Sequence, residues 1–295
     1  MTPVLCNLCG VDDARVKFRA GAAQVNQIVV CNRCSLMYAS PRAIEPDHVL
    51  IEQYDPDYVG PSPLADDPRH AKEMLQVRDY IPTKSFLAAR HPQRGRLLEI
   101  GSSFGFLLAS FRDDGWKVVG VEPNAGLNRH AQKELNLDVI SAILPDAHIE
   151  SESMDAVLMM HVIEHVPDPV NTLEEIFRIL RPGGTLVMET PIYDSLMFKL
   201  LGRRERSVSC EGHIYFFTSR TLAEVSERVG FKVLRANRVG RSMNLSRLVY
   251  NVGVMSKSRR AQGALSKAAR ALRFDKLSFS LNVRDMERIY LGKPS

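Results

Sequence analysis

The chain has 295 residues, 45% of them hydrophobic and 25% charged, the balance of a globular protein with one αβ domain and appendages. It contains no apolar run long enough to span a bilayer and opens without a charged-then-apolar leader, so a cytoplasmic location is the expectation. The net charge of +5 is uneven: residues 241–295 carry 12 Lys/Arg against 3 Asp/Glu, whereas residues 1–240 carry 27 against 31. Basicity is therefore a property of the C-terminal tail, which suits anionic lipid, nucleic acid or an anionic substrate.

Residues 1–40 begin with Cys6-Asn-Leu-Cys9 and close with Cys31-Asn-Arg-Cys34. Between the two pairs, RVKFR and VNQIVV alternate like two short strands separated by Gly21. Two C-x-x-C knuckles on a hairpin can set four thiolates tetrahedrally around Zn²⁺, and a reducing compartment leaves the thiols free for metal. Cys6, Cys9, Cys31 and Cys34 are thus expected to form a closed, structural zinc ribbon. Unliganded thiols are the alternative, and a redox C-x-x-C the poorer one, because redox chemistry needs a single pair.

Residues 41–94 read as a linker and covering helices. The stretch to residue 69 is rich in Pro and Asp, which resists regular structure, and places Tyr54 and Tyr58 near an active-site mouth or as linker anchors. Residues 70–90 read as a helix kinked at Pro82. From residue 96 the pattern alternates strand and helix, with strands expected at 96–100, 116–121, 139–141, 156–161 and 185–190. Such alternation argues for a parallel sheet covered on both faces, with a ligand at the carboxyl ends of its strands. The expected core is 95–240, followed by a basic helical insertion and last strand at 241–295.

The stretch RLLEIGSSFG (96–105) is the first of these turns: a strand carrying Glu99 breaks at Gly101 and restarts as a helix near Phe104. A glycine lets a ligand approach the backbone, and the free N–H groups of the first helical turn face it. Glu122 closes the next strand, where a carboxylate can accept two hydrogen bonds from a ribose diol. Gly101-Ser-Ser-Phe-Gly105 lacks the middle glycine of a dinucleotide fingerprint and has no basic residue, which fits a ligand without phosphates.

The turn resembles the first motif of class I S-adenosylmethionine (SAM) methyltransferases, with Ser103 in place of the middle glycine. MDAVLMMHVIEHVPDP (154–169) resembles the fourth-strand region of that family, ubiquinone-biosynthesis O-methyltransferases included, and ILRPGGTLVMETP (179–191) resembles its next turn and strand. The resemblance implies a Rossmann-like α/β fold with a seven-stranded sheet whose last strand is antiparallel, here carrying a small N-terminal zinc ribbon with four cysteine ligands. Carried over by position, it implies that Glu99, Gly101, Ser103, Phe104 and Gly105 line the methionine side of SAM. Glu122 then takes the ribose, Pro123 and Asn124 lie beside the adenine, Ala142 and Ile143 offer backbone contacts there, and His161 faces the sulfonium or the acceptor. His165 reads as a structural, hydrogen-bonded histidine under the pocket.

Methyl transfer asks for a positioned nucleophile and its deprotonation. His213, in CEGHIYFF and beside Glu211, is the expected base, the alternative being a cap for the aromatic run that follows; Tyr193 and Tyr215 are lesser candidates. This stretch resembles the Glu-His-aromatic run of zinc-ribbon-bearing deoxysugar C-methyltransferases, although Gly212 separates Glu211 from His213 here. The expected function is a SAM-dependent methyltransferase acting on a small molecule of saccharide type, by O- or C-methylation. The alternatives are an rRNA methyltransferase, which the missing Asn/Asp-Pro-Pro-aromatic motif disfavours, and a non-catalytic SAM-fold binding protein. Residues 256–273 read as a basic amphipathic helix, either packed on the domain or lying on an anionic membrane.

Overall fold

A computed structural model of the chain describes residues 3–21, 27–42, 68–205, 207–208, 212–244 and 278–295. Tyr54, Tyr58, Cys210, Glu211 and the basic tail helix expected at 256–273 lie outside these residues. Among the described residues no helix is long and apolar enough to cross a membrane.

The N-terminal part supplies β1 (Ala14–Phe18), β2 (Ile28–Cys31) and β3 (Met37–Ala39). Helix α1 (Pro68–Gln76) follows, then a 3₁₀ turn at Val77–Tyr80 and α2 (Ile81–Arg90). Pro82 therefore does not kink one long helix. It sits in the first turn of a second one, where the missing N–H has no helical partner in any case. The alternating region then runs β4 (Arg96–Ile100), α3 (Phe106–Asp113), β5 (Lys117–Val121), α4 (Ala125–Leu135), β6 (Val139–Ile140), β7 (Met154–Met160), α5 (Pro169–Ile179) and β8 (Leu180–Pro191). The chain continues through α6 (Leu196–Leu201), β9 (Tyr215–Phe216), α7 (Ser219–Val229), β10 (Lys232–Asn244) and β11 (Ser278–Gly292).

Seven strands form one sheet in the order β10-β11-β8-β7-β4-β5-β6. Strands β4 to β8 are parallel, and β11 lies antiparallel between β8 and β10. Neighbouring residues in the central strands face opposite sides, as a pleat requires. Leu98, Val157 and Leu186 pack with α5 and α7 on one face; Leu97, Leu158 and Val187 pack with α2 and α3 on the other. Local chemistry marks the helix starts: Asn124 and Asp168 accept hydrogen bonds from first-turn N–H groups, and Thr218 forms a capping box with Thr221.

The N-terminal ribbon is built into this body. Its sheet has the order β1-β2-β3-β9, so the strand next to His213 completes it, with Tyr38 opposite Tyr215. Cys6, Leu8, Leu36 and Tyr38 share a core with Leu173, Ile176 and Leu222 of the covering helices. Arg220 donates to the Cys34 carbonyl at 3.1 Å, and Arg228 donates to the Leu8 carbonyl.

A buried ion pair joins the last strand to the parallel core. Arg288 on β11 is 2% exposed and donates to Glu189 on β8 through Nε at 2.7 Å; its Nη1 reaches the Asp79 carbonyl and Thr83 Oγ1, both at 3.0 Å. Burial by itself would raise the Glu189 pKa, but Arg288 and His161 overcome that and hold it at about 2. Because this value is depressed from the ordinary 4.5, the pair's stabilisation is complete above pH 4.5 and is lost as pH falls through about 2. Replacing Arg288 with Ala strands a buried carboxylate and should cost about 3–5 kcal/mol, measured by urea denaturation at neutral pH.

Candidate active site

The carboxyl edge of the parallel strands opens on a cavity of about 490 Å³. Glu99, Gly101, Ser103, Glu122, Pro123, Ala142, Ile143 and His161 all line it. Phe104 and Gly105 do not. Phe104 is fully buried against His70 and His130, and Gly105 faces α4 and the residues just after it, where an added Cβ would lie 2.6 Å from Leu137 Cδ1 and 3.0 Å from Ala131 Cβ. Their role is to build the turn beneath the cavity rather than to line it.

The turn itself depends on left-handed backbone. Gly101 has φ +72°, and an added Cβ there would fall 2.5 Å from Val162 Cγ2. Ser103 adopts φ +49° despite its side chain, a conformation that costs roughly 1–2 kcal/mol for a residue with a Cβ. Two contacts offset that cost: Ser103 N–H donates to Glu122 Oε2 at 2.9 Å and its hydroxyl to Glu73 Oε1 at 3.0 Å. Glu73, on α1, is a pocket residue that the sequence reading missed. Its helix is amphipathic, but nothing local says that it folds over the strand ends.

Glu122 is 7% exposed, and its second oxygen accepts from Asn124 N–H at 2.9 Å. A carboxylate oxygen accepts more than one hydrogen bond, so ribose hydroxyls can join these donors. Glu99 differs: it is 4% exposed, and its Oε2 has no hydrogen-bond partner among the described residues. Burial first, then Glu73 and Glu122, push its pKa well above the carboxylate range. Three carboxylates thus converge on one end of an otherwise largely apolar cavity, an arrangement suited to a ligand that carries positive charge and a diol. SAM, with an ammonium, a sulfonium and a ribose, fits that set of acceptors.

The opposite end is imidazole-rich. His161 closes β7 with φ +57°, half-exposed to the cavity. Its Nε2 lies 3.3 Å from Glu189 Oε1 and its Nδ1 3.7 Å from Glu164 Oε1. Burial lowers the His161 pKa, but these two carboxylates outweigh it, and the net direction is upward. Glu164 is 1% exposed and accepts from Thr190 Oγ1 at 2.9 Å; burial would raise its pKa, but the histidines around it hold it at about 2.

His165 lines the cavity, and its Nδ1 pairs with the Gly212 carbonyl at 2.9 Å. The expected base, His213, is not on the cavity wall. It lies behind His165, ring centroids 4.6 Å apart, 9% exposed, with Nδ1 3.4 Å from the hydroxyl of buried Tyr193. Burial drops its pKa to about 4, against the opposing pull of Glu164. His165, read from the sequence as structural, therefore stands between His213 and the cavity. In the N-terminal ribbon the Sγ atoms of Cys6, Cys9, Cys31 and Cys34 lie within 4.8 Å of one another, with Cys6–Cys34 at 3.3 Å and Cys9–Cys31 at 3.5 Å.

Residues 70–236, more than half of the chain, match the methyltransferase domain family, and the chain belongs to it. A tRNA U34 carboxymethyltransferase from Pseudoalteromonas translucida is 32% identical over 148 residues, 48% of this chain and 46% of that protein. A ubiquinone biosynthesis O-methyltransferase from Bradyrhizobium is 35% identical over 100 residues, 32% of this chain and 39% of that protein. The chain thus spans less than half the length of these two relatives. A solved structure from Bacillus halodurans, described as a candidate methyltransferase, shares the fold at a TM-score of 0.50 and 13% identity, covering 72% of this chain and all of that one. The seven-stranded sheet with its antiparallel penultimate position is the class I SAM-dependent methyltransferase fold.

Replacing Glu122 with Ala should weaken SAM binding more than tenfold, about 1.4 kcal/mol, by calorimetry. Glu99→Gln should shrink the rise in melting temperature that SAM produces, since an amide cannot ionise against the positive charge of the ligand.

Proposed function

We propose that this protein transfers the methyl group of SAM to an oxygen or carbon of a small-molecule acceptor of saccharide type. The observation that carries the reading is the polarity of one cavity: carboxylates at the glycine turn, imidazoles at the other end. Glu99 and Glu73 would meet the cationic amino-acid end, and Glu122 the ribose. Bound SAM supplies an already activated methyl group, which leaves the chain to orient and to exclude water. Pro123, Ala142 and Ile143 form an apolar wall for the base.

The acceptor would enter at His161 and His165. With Nδ1–H given to the Gly212 carbonyl, His165 keeps a lone pair on Nε2. His213 and Tyr193 would position that ring from behind rather than touch the acceptor. Support for a saccharide comes from the likeness of the ribbon and the HIYFFT run to sugar methyltransferases, and from β9 coupling the two. The four close thiols support a structural Zn²⁺: burial pushes the Cys6 thiol up and the Cys34 thiol to about 11, a charge cost that a bound cation would remove.

The reading is tested by tritiated-methyl transfer into nucleotide sugars, glycolipids and rRNA. Label in the saccharides is expected; label in RNA alone would replace this acceptor class with nucleic acid. His165→Asn should lower transfer at least tenfold with SAM affinity unchanged, separating the acceptor end from the cofactor end. Cys9→Ser should release one zinc equivalent and lower the melting temperature, read by metal analysis and calorimetry.

A further inference from the structure

The imidazole end of the cavity contains more than an acceptor pocket needs. Glu164, His165 and His213 each offer a ligand atom, and the three atoms lie within 4.8 Å of one another. They come from two separate segments, the loop after β7 and the stretch before β9. Backbone bonds lock these together: the N–H groups of Ile214 and Tyr215 donate to the Glu164 carbonyl at 2.9 and 3.1 Å.

Each side chain is also held from behind. His165 Nδ1 meets the Gly212 carbonyl at 2.9 Å, Glu164 Oε2 accepts from Thr190 at 2.9 Å, and His213 Nδ1 faces the Tyr193 hydroxyl at 3.4 Å. Outer partners of this kind orient metal ligands and set which imidazole nitrogen is free. What remains is Glu164 Oε1, buried and without a hydrogen-bond partner among the described residues. His161 Nδ1, at 3.7 Å, is within ion-pair range of that oxygen but beyond hydrogen-bond reach. A carboxylate oxygen shut away from water, with no hydrogen bond and two further imidazoles beside it, gains from a cation that joins them.

We propose that Glu164, His165 and His213 form a divalent metal site, distinct from the four-thiol ribbon, on the acceptor side of the cavity. Two imidazole nitrogens and one carboxylate oxygen suit Zn²⁺, Mn²⁺ or Fe²⁺ better than Mg²⁺ or Ca²⁺, which favour oxygen-only shells. Ligand bonds of about 2.0–2.2 Å need only a small inward movement of the three side chains. Three protein ligands leave coordination positions open, and His165 is the ligand that borders the cavity, which puts the site next to the acceptor. An acceptor with two adjacent oxygens, such as a vicinal diol, could fill them. That last point rests on the saccharide reading above; the ion's binding does not.

The test uses the full chain and Mn²⁺ as the probe, a hard ion that thiolates hold poorly. Loss of the free-ion paramagnetic resonance signal should report one Mn²⁺ bound per chain. Affinity should fall at least tenfold in Glu164→Gln and in His165→Asn, with the ribbon's zinc retained. His165 is only partly buried, so its variant keeps the test readable if Glu164→Gln fails to fold. No bound Mn²⁺ in the parent, or parental affinity in His165→Asn, would overturn the site. SAM titration of the same samples reports on the cofactor end separately: failure there would sink the methyltransferase reading and leave the metal result standing.

Discussion

Four carboxylates at or just beyond the carboxyl ends of the parallel strands are nearly shut off from water: Glu99, Glu122, Glu164 and Glu189. A buried carboxylate is tolerable only where donors or cations meet it. Glu189 has Arg288, and Glu122 has two backbone N–H groups from the turns around it. Glu164 has Thr190 on one oxygen, and Glu99 keeps an oxygen with no partner among the described residues. The satisfied pair hold the sheet and its loops in register. Each of the unsatisfied pair keeps one oxygen open to a group from outside the chain.

This division explains the asymmetry of the cavity. At the glycine turn, left-handed Gly101 and Ser103 bring a backbone donor round to Glu122, so that carboxylate is held in place at the expense of local strain. At the other end, His161 adopts another left-handed conformation so that its ring spans Glu164 and Glu189. The last strand contributes through Arg288, which ties that imidazole end to the helical turn at Asp79 and Thr83.

The ribbon is part of the same architecture. Through β9 its sheet is continuous with the segment that carries His213, and Tyr215 stands opposite Tyr38 across that junction. The thiol cluster and the segment that carries His213 are therefore joined by one sheet, although the two lie far apart along the chain.

Much of this was legible in the chain. Alternating apolar strands and capped helices specify the parallel core, because pleat and helix periods are local properties that residues 96–191 obey without conflict. The ends of the first two strands, Glu99 and Glu122, were legible for the same reason: strand, glycine and helix follow one another within a few residues. The pairing of cysteines was legible from spacing. What the tertiary structure alone decided is which distant groups meet. Glu73 arrives from a covering helix, Arg288 from the last strand, and His165 comes to stand beside His213 because the stretch before β9 bonds to the Glu164 carbonyl. Those juxtapositions depend on long-range packing, and no periodicity or spacing within the chain encodes which buried carboxylate finds its counter-charge and which is left for a ligand.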